Sequence, residues 1–247
     1  MPMIEIENLT KQFGEKKAVN SLNLSIEEGE IFGFLGPNGA GKTTTIKILT
    51  GLLRPSSGKV TIGGFNILES PQSAKYITGY VPEDPFIYDK LTGREFLQLV
   101  GGLYSLKEKE IEAQIDYWTE FFQLESYMDT LTESYSHGTK QKIVMSAALM
   151  HKPKLMIIDE PMVGLDPIST RKVKDLIKTK SQEGTTIFLS THILSVAEEL
   201  CDRVGIIHQG VLIATGSLPE IKQLSKAEEN ESLETIFLKL TENGNNQ

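Results

Sequence analysis

The chain has 247 residues, 39% of them hydrophobic and 23% charged, a balance that suits a folded globular protein and excludes a low-hydropathy disordered one. Its net charge of -8 argues against a general nucleic-acid binder, and its single cysteine, Cys201, excludes an internal disulfide. No apolar run approaches the roughly 18 to 20 residues needed to cross a bilayer, and no charged, apolar, small-residue leader opens the chain, so a cytosolic protein is expected.

The first 62 residues predict strands. Ile4-Glu5-Ile6 alternates, as do Leu22, Leu24 and Ile26, and Val60-Thr61-Ile62 runs into a Gly63-Gly64 turn, the pattern of a sheet with one covered face. Within this stretch the apolar run Ile31-Phe32-Gly33-Phe34-Leu35 feeds Gly36, Pro37, Asn38, Gly39, Ala40, Gly41, Lys42 and Thr43, and a helix-like stretch follows from residue 42 to about 52. The octapeptide fits G-x-x-x-x-G-K-[ST] at every fixed position, in the strand, loop, helix context that the phosphate-binding loop requires. Glycines let successive backbone N–H groups, backed by the positive end of a helix, face an anion. Lys42 is then expected to reach the β- and γ-phosphates of a nucleotide, Thr43 to ligate Mg²⁺, and the Thr44 amide to add a phosphate contact.

From about residue 84 to 150 the strand signal stops. Phe96, Leu97, Leu99, Val100, Leu103 and Tyr104 recur at helical spacing, and after a charged turn at residues 107–110 so do Ile111, Ile115, Trp118, Phe121 and Phe122, which predicts an all-helical insertion with its own apolar core. Two apolar, non-alternating runs follow, Leu155-Met156-Ile157-Ile158 and Thr186-Ile187-Phe188-Leu189, as expected of central parallel strands. The charged segment 168–183 between them reads as a helix, and its Arg171, Lys172, Lys174, Lys178 and Lys180 as a solvated face. Asp159-Glu160-Pro161 ends the first run. Two adjacent carboxylates at the mouth of a buried strand are costly unless a cation or hydrogen bonds await them. Asp159 is therefore expected to hold a metal, and Glu160 to polarise or deprotonate an attacking water. Leu233, Ile236, Phe237 and Leu240 predict a short amphipathic helix after the polar stretch 226–232, docked on the body or on a second copy.

Together these residues resemble the ATP-binding subunit of an ABC transporter, of the exporter or multidrug-resistance kind. Tyr135-Ser136-His137-Gly138-Thr139-Lys140-Gln141-Lys142 occupies the place of the family's signature, L-S-G-G-Q followed by a basic-Gln-basic stretch. Gly164-Leu165-Asp166 resembles the loop that crosses the family's dimer interface, Ser190-Thr191-His192 its γ-phosphate-sensing histidine, and Lys11-Gln12-Phe13-Gly14 the loop whose aromatic stacks on adenine. The resemblance spans roughly residues 3 to 216. It implies a P-loop NTPase fold of the ABC ATPase type: a parallel-sheet α/β core (1–83 and 151–216) with an N-terminal antiparallel β-subdomain, an inserted helical subdomain (84–150) and a C-terminal tail (217–247), all one domain. It implies ATP and Mg²⁺ as cofactors, with Glu160, His192 and Lys42 catalytic and Ser136, Gly138 and Asp166 meeting nucleotide bound to a second copy. The implied partners are that copy in a homodimer and a separate membrane permease, whose cytoplasmic helix is expected near Tyr88, Leu91, Phe96 and Glu133. That places the chain peripherally on the inner face of the membrane.

Three positions depart from the family pattern. His137 stands for the first signature glycine, Thr139 for the glutamine, and Glu83 for the glutamine that faces Mg²⁺, after Ile77-Thr78-Gly79-Tyr80-Val81-Pro82. A carboxylate ligates Mg²⁺ as an amide oxygen does but adds negative charge near the γ-phosphate. The competing reading is a soluble ATPase of the same type acting on nucleic acid or the ribosome, which commonly carries two cassettes or a long coiled coil. A phosphate-loop kinase for a small metabolite leaves the signature without a purpose.

Overall fold

The computed structural model describes residues 1–224 and 233–243, with side chains to 239. Two sheets organise the chain. Strands β1 (Ile4–Phe13), β2 (Lys16–Ile26), β4 (Ser57–Ile62) and β5 (Phe65–Asn66) form an antiparallel sheet in the order β2-β1-β4-β5. Strands β3 (Ile31–Leu35), β6 (Thr78–Val81), β7 (Leu155–Asp159), β8 (Thr186–Thr191), β9 (Arg203–His208) and β10 (Val211–Ser217) form a second sheet in the order β10-β9-β3-β8-β7-β6, parallel except for the edge strand β10.

The apolar runs of the second sheet lack alternation because both its faces are covered, and successive side chains point to opposite faces. Leu155, Ile157 and Phe188 enter the core beneath the antiparallel sheet, whereas Met156, Ile158, Ile187 and Leu189 enter the core shared with the helices on the other side. Phe188 packs its ring 5.3 Å from that of Phe34 and 6.1 Å from that of Phe32, which fastens β8 to β3.

Helix α1 (Lys42–Leu49) follows β3 and stops before residue 52, while α2 (Pro71–Tyr76) precedes β6. Three helices fill the insertion: α3 (Gly93–Leu103), α4 (Glu108–Phe122) and α5 (His137–Leu149). Thr92 and Glu95 form a reciprocal capping box that starts α3. The charged residues 107–110 begin α4 instead of forming a separate turn, because Lys107 is already its N-cap and Glu110 bonds back to the Lys107 amide at 3.0 Å. Ile111, Ile115, Trp118 and Phe122 are buried as the helical period requires, but Leu99 and Leu103 of α3 face outward, 41% and 74% exposed.

Helix α6 (Pro167–Gln182) joins β7 to β8, and its basic face is more engaged than a merely solvated one: Lys174 and Lys178 both pair with Glu199, and Lys172 donates to the Phe121 carbonyl. Helix α7 (Leu194–Leu200) leads to the β9–β10 hairpin, two strands that are not among the elements expected from sequence. Gln209 and Gly210, at φ 49° and 83°, make its two-residue turn, a conformation matched to the twist of a hairpin. Helices α8 (Leu218–Leu224) and α9 (Leu233–Asn243) follow. Leu233 and Ile236 are buried with Ala197 and Ile206, so α9 docks on the body of its own chain. The polar stretch 226–232 and the Leu240 side chain lie outside the described residues.

Candidate active site

Open α/β sheets gather ligands beyond the carboxyl ends of their parallel strands. Here four adjacent strands, β3, β8, β7 and β6, deliver at that edge the phosphate loop, His192, the Asp159-Glu160 pair and Glu83 respectively. One cleft of about 360 Å³ is lined by Phe13, Asn38, Gly39, Gly41, Lys42, Thr43, Thr44, Glu83, Asp159, Glu160 and His192, all anticipated, together with Lys16 and Ala18, which were not. Lys16 and Ala18 come from the start of β2, and no pattern in sequence marks them because only the stacking of the two sheets brings that strand over the loop.

The loop backbone is shaped for an anion. Gly41 takes φ 116°, and a Cβ there would stand 2.5 Å from the Ala18 carbonyl oxygen. A Cβ at Gly36 would run into the Ile207 carbonyl, so both outer glycines are required by close backbone approach. Ala40 is buried and its carbonyl accepts from Gly210 N at 2.8 Å, whereas Pro37 is exposed at the tip. No side chain caps α1 and no acidic residue sits in its first turn, which leaves amide donors and a positive helix end facing the cleft. Lys42 is only 7% exposed; its Nζ donates to the Gly36 carbonyl at 2.7 Å and the Pro37 carbonyl at 3.3 Å. Burial lowers its pKa, and the charges of Glu160, Asp159 and Glu83 work against that loss.

Opposite lies a fixed acidic pair. The Asp159 carboxyl, 3% exposed, is pushed up to about 6, first by burial and further by Glu83 and Glu160. Glu160, 6% exposed, holds a left-handed backbone at φ 49°, and its amide donates to the Ser190 carbonyl at 2.9 Å. Both of its carboxylate oxygens are engaged. Oε2 accepts from Thr191 Oγ1 at 3.1 Å, and Oε1 lies 2.8 Å from His192 Nδ1. Thr191, the middle residue of the Ser190-Thr191-His192 motif, therefore belongs to the constellation with a role of its own beside that of His192.

Ser136, Gly138 and Asp166 do not line this cleft. Ser136 caps α5, accepting from Thr139 N at 3.2 Å, and its hydroxyl lies 2.9 Å from Thr139 Oγ1. The His137 ring packs over Gly164, and a Cβ at Gly138 would stand 2.7 Å from the Gly164 carbonyl oxygen. Asp166 caps α6 through Ser169 N at 2.9 Å and sits 3.9 Å from Lys142. Signature and interface loop thus form one exposed surface on the same chain. Of the residues proposed for a partner helix, Phe96 lines an apolar groove of about 390 Å³ that continues along Phe86, Val100, Leu103, Tyr104 and Leu52. Tyr88 is exposed at its side, Leu91 packs inward, and Glu133 pairs with Lys90 at 2.6 Å.

An amide-lined loop with a buried lysine, facing an acid pair at the strand edge, defines a P-loop nucleoside triphosphatase. The model of the ABC transporter family matches residues 19–163. The chain is 39% identical over 219 residues to the linearmycin resistance ATP-binding protein LnrL of Bacillus subtilis, covering 89% of this chain and 70% of that one. It is 36% identical over 241 residues to the ABC transporter ATP-binding protein NatA of the same organism, covering 96% and 97%. Among solved structures, the ATP-binding subunit of an ABC transporter superimposes with a TM-score of 0.92 at 33% identity, over 97% of this chain and 99% of that one. A dimeric ATP-binding cassette in a post-hydrolysis state bound to ADP and phosphate follows with a TM-score of 0.79 at 25% identity, over 87% and 99%. The chain belongs to the ABC transporter family. It is an ATP hydrolase, the motor subunit of a transporter. Among the described residues no helix is long and apolar enough to cross a membrane.

Proposed function

We propose that two copies of this chain close on two molecules of ATP with magnesium and drive a separate membrane permease, in the direction of export. What carries the reading is the convergence of Lys42, Thr43, Asp159, Glu160 and His192 on one cleft. Glu160, held by Thr191 and His192, accepts the proton of the attacking water, and the pair keeps its carboxylate aimed while the reaction proceeds. Lys42 and the loop amides bear the charge that develops on the transferred phosphoryl group.

The donor set fits magnesium. Thr43, Asp159 and Glu83 offer hard oxygens to the same cleft, and the raised Asp159 carboxyl is a buried acid in want of a cation. The described residues contain no group of three or more His, Cys, Asp or Glu that could hold a metal by themselves. Magnesium takes its remaining oxygens from phosphate and water. When bound, the metal neutralises phosphate charge.

Ser136 and Gly138 present a capped helix start, and Asp166 its neighbouring loop, to nucleotide held by the other copy. The groove beside Phe86 and Leu103 receives a cytoplasmic segment of the permease, which anchors the chain to the inner membrane face. Exposed Phe86 (76%) and Leu103 (74%) support this, as large apolar groups seldom cluster at a surface without a partner. Export draws its support from the relative's part in linearmycin resistance.

The test is chromatography of the Glu160→Gln protein with and without magnesium and ATP. A shift to the dimer only when both are present is expected, and a monomer throughout would reject ATP-driven closure. Co-purification with an integral membrane protein is expected from native membranes; recovery with ribosomes or DNA would reject the transport partner.

A further inference from the structure

Glu83 differs from Lys42 and Glu160, the buried charged groups of the cleft that partners hold in place. Lys42 donates to loop carbonyls, and Glu160 is bonded to Thr191 and His192. Glu83, just beyond the end of β6, is exposed at the cleft wall and makes no hydrogen bond or ion pair with any described residue. Three carboxylates, Glu83, Asp159 and Glu160, consequently face two ammonium groups, Lys16 and Lys42, across the space a triphosphate would occupy. An uncharged side chain at residue 83 would balance the count.

We propose that Glu83 makes this cleft selective for the metal-loaded nucleotide, by repelling the bare triphosphate and lending a carboxylate oxygen to the divalent ion that accompanies the loaded one. The inference rests on the cleft being the ATP and magnesium site. Its physics is a difference between two states of one ligand. A bare triphosphate brings a multiply charged anion toward an uncompensated carboxylate, whereas the metal complex brings a smaller net charge and a cation that the carboxylate attracts. The field of Glu83 extends across the cleft, since it disfavours ionisation of both Asp159 and Tyr80 and favours that of Lys42. For charges several ångströms apart in a solvent-exposed cleft, Coulomb's law makes the expected discrimination roughly tenfold in affinity, shrinking with salt because Glu83 is exposed.

The experiment is calorimetric titration with a non-hydrolysable ATP analogue, once in EDTA and once in excess magnesium, on the wild type, Glu83→Gln and Glu83→Asp. Glu83→Gln is expected to bind the metal-free analogue roughly tenfold more tightly at low salt, with equal or weaker binding of the magnesium complex. Glu83→Asp is expected to retain the wild-type ratio, separating charge from side-chain bulk. An unchanged metal-free affinity in Glu83→Gln, or an equal gain in both conditions, would overturn the proposal. Failure of the wild type to bind the magnesium complex at all would instead overturn the nucleotide-site reading beneath it.

Discussion

Glu160 Oε1 lies 2.8 Å from His192 Nδ1 while its Oε2 accepts from Thr191 at 3.1 Å, so two consecutive residues at the end of β8 hold one carboxylate from both sides. A glutamate side chain has three rotatable bonds, and this clamp leaves it one orientation although its backbone sits in the unfavourable left-handed region. Glu160→Gln removes the proton acceptor and should lower the turnover of ATP by at least about a hundredfold, with nucleotide affinity retained. Thr191→Val keeps the acceptor and removes the aim, together with the bond that Thr191 Oγ1 accepts from Ile193 N at 3.0 Å. It should lower kcat by roughly tenfold with little change in KM, and steady-state ATPase assays separate the two. A Thr191→Val enzyme with wild-type kcat would show that the clamp has no part in the reaction.

Lys42 is a cation 7% exposed, and burial lowers its pKa. Lys42→Met removes that burden but also leaves the Gly36 and Pro37 carbonyls and the buried Asp159–Glu160 pair without their cation, so its thermal stability without nucleotide should fall below that of the wild type. It should also lose the stabilisation that excess ATP gives the wild type, about 2.7 kcal/mol at a hundredfold excess over Kd. Thermal melts with and without ATP and magnesium check both halves. A nucleotide-dependent shift that survives in Lys42→Met would remove the lysine from phosphate binding.

The chemistry of this cleft was legible where a short peptide carries it whole. The phosphate loop needs its strand, its glycines and Lys42 within a dozen consecutive residues, and Asp159-Glu160 announce themselves as charges that end an apolar run. Lys16 and Ala18 were invisible because β2 reaches the cleft only by the packing of one sheet on another. The turn of Gln209 and Gly210 that joins β9 to β10 is a weak hairpin signal compared with Asn-Gly. In the helical insertion, spacing identified the helices but not their neighbours. Leu103 keeps the period of α3 and yet lines an outer groove, since periodicity fixes which residues share a face and says nothing about what covers it.

Gly39 and Gly41 both hold positive φ, 79° and 116°, but differ in surroundings. A Cβ at Gly39 meets nothing within 4 Å, whereas one at Gly41 stands 2.5 Å from a backbone oxygen that cannot rotate away. Gly39→Ala should therefore cost only the strain of its backbone, about 1 kcal/mol, and Gly41→Ala about 2 to 4 kcal/mol because the loop must also separate from β2. Urea unfolding of the two variants measures the difference. Equal losses would mean that the contact with Ala18 is not what requires glycine at 41.

His151, just after α5, stacks on Tyr104 with ring centroids 3.7 Å apart and an interplanar angle of 10°. Burial lowers its pKa to about 4, with the Thr78 backbone offsetting only part of the effect. An unfolded histidine titrates near 6.5. As pH falls, the unfolded chain therefore takes up the proton first. The stability contributed by the neutral ring is complete above about 6.5 and is lost progressively toward about 4. At pH 5 the loss should be about 1 to 2 kcal/mol, or a few degrees in Tm for a chain of this size. His151→Phe keeps the stack and removes the proton site. Its Tm should fall less than that of the wild type between pH 7 and pH 5, while the two stay parallel from pH 7 to pH 8. Parallel curves through the acid range as well would show that His151 does not titrate against folding.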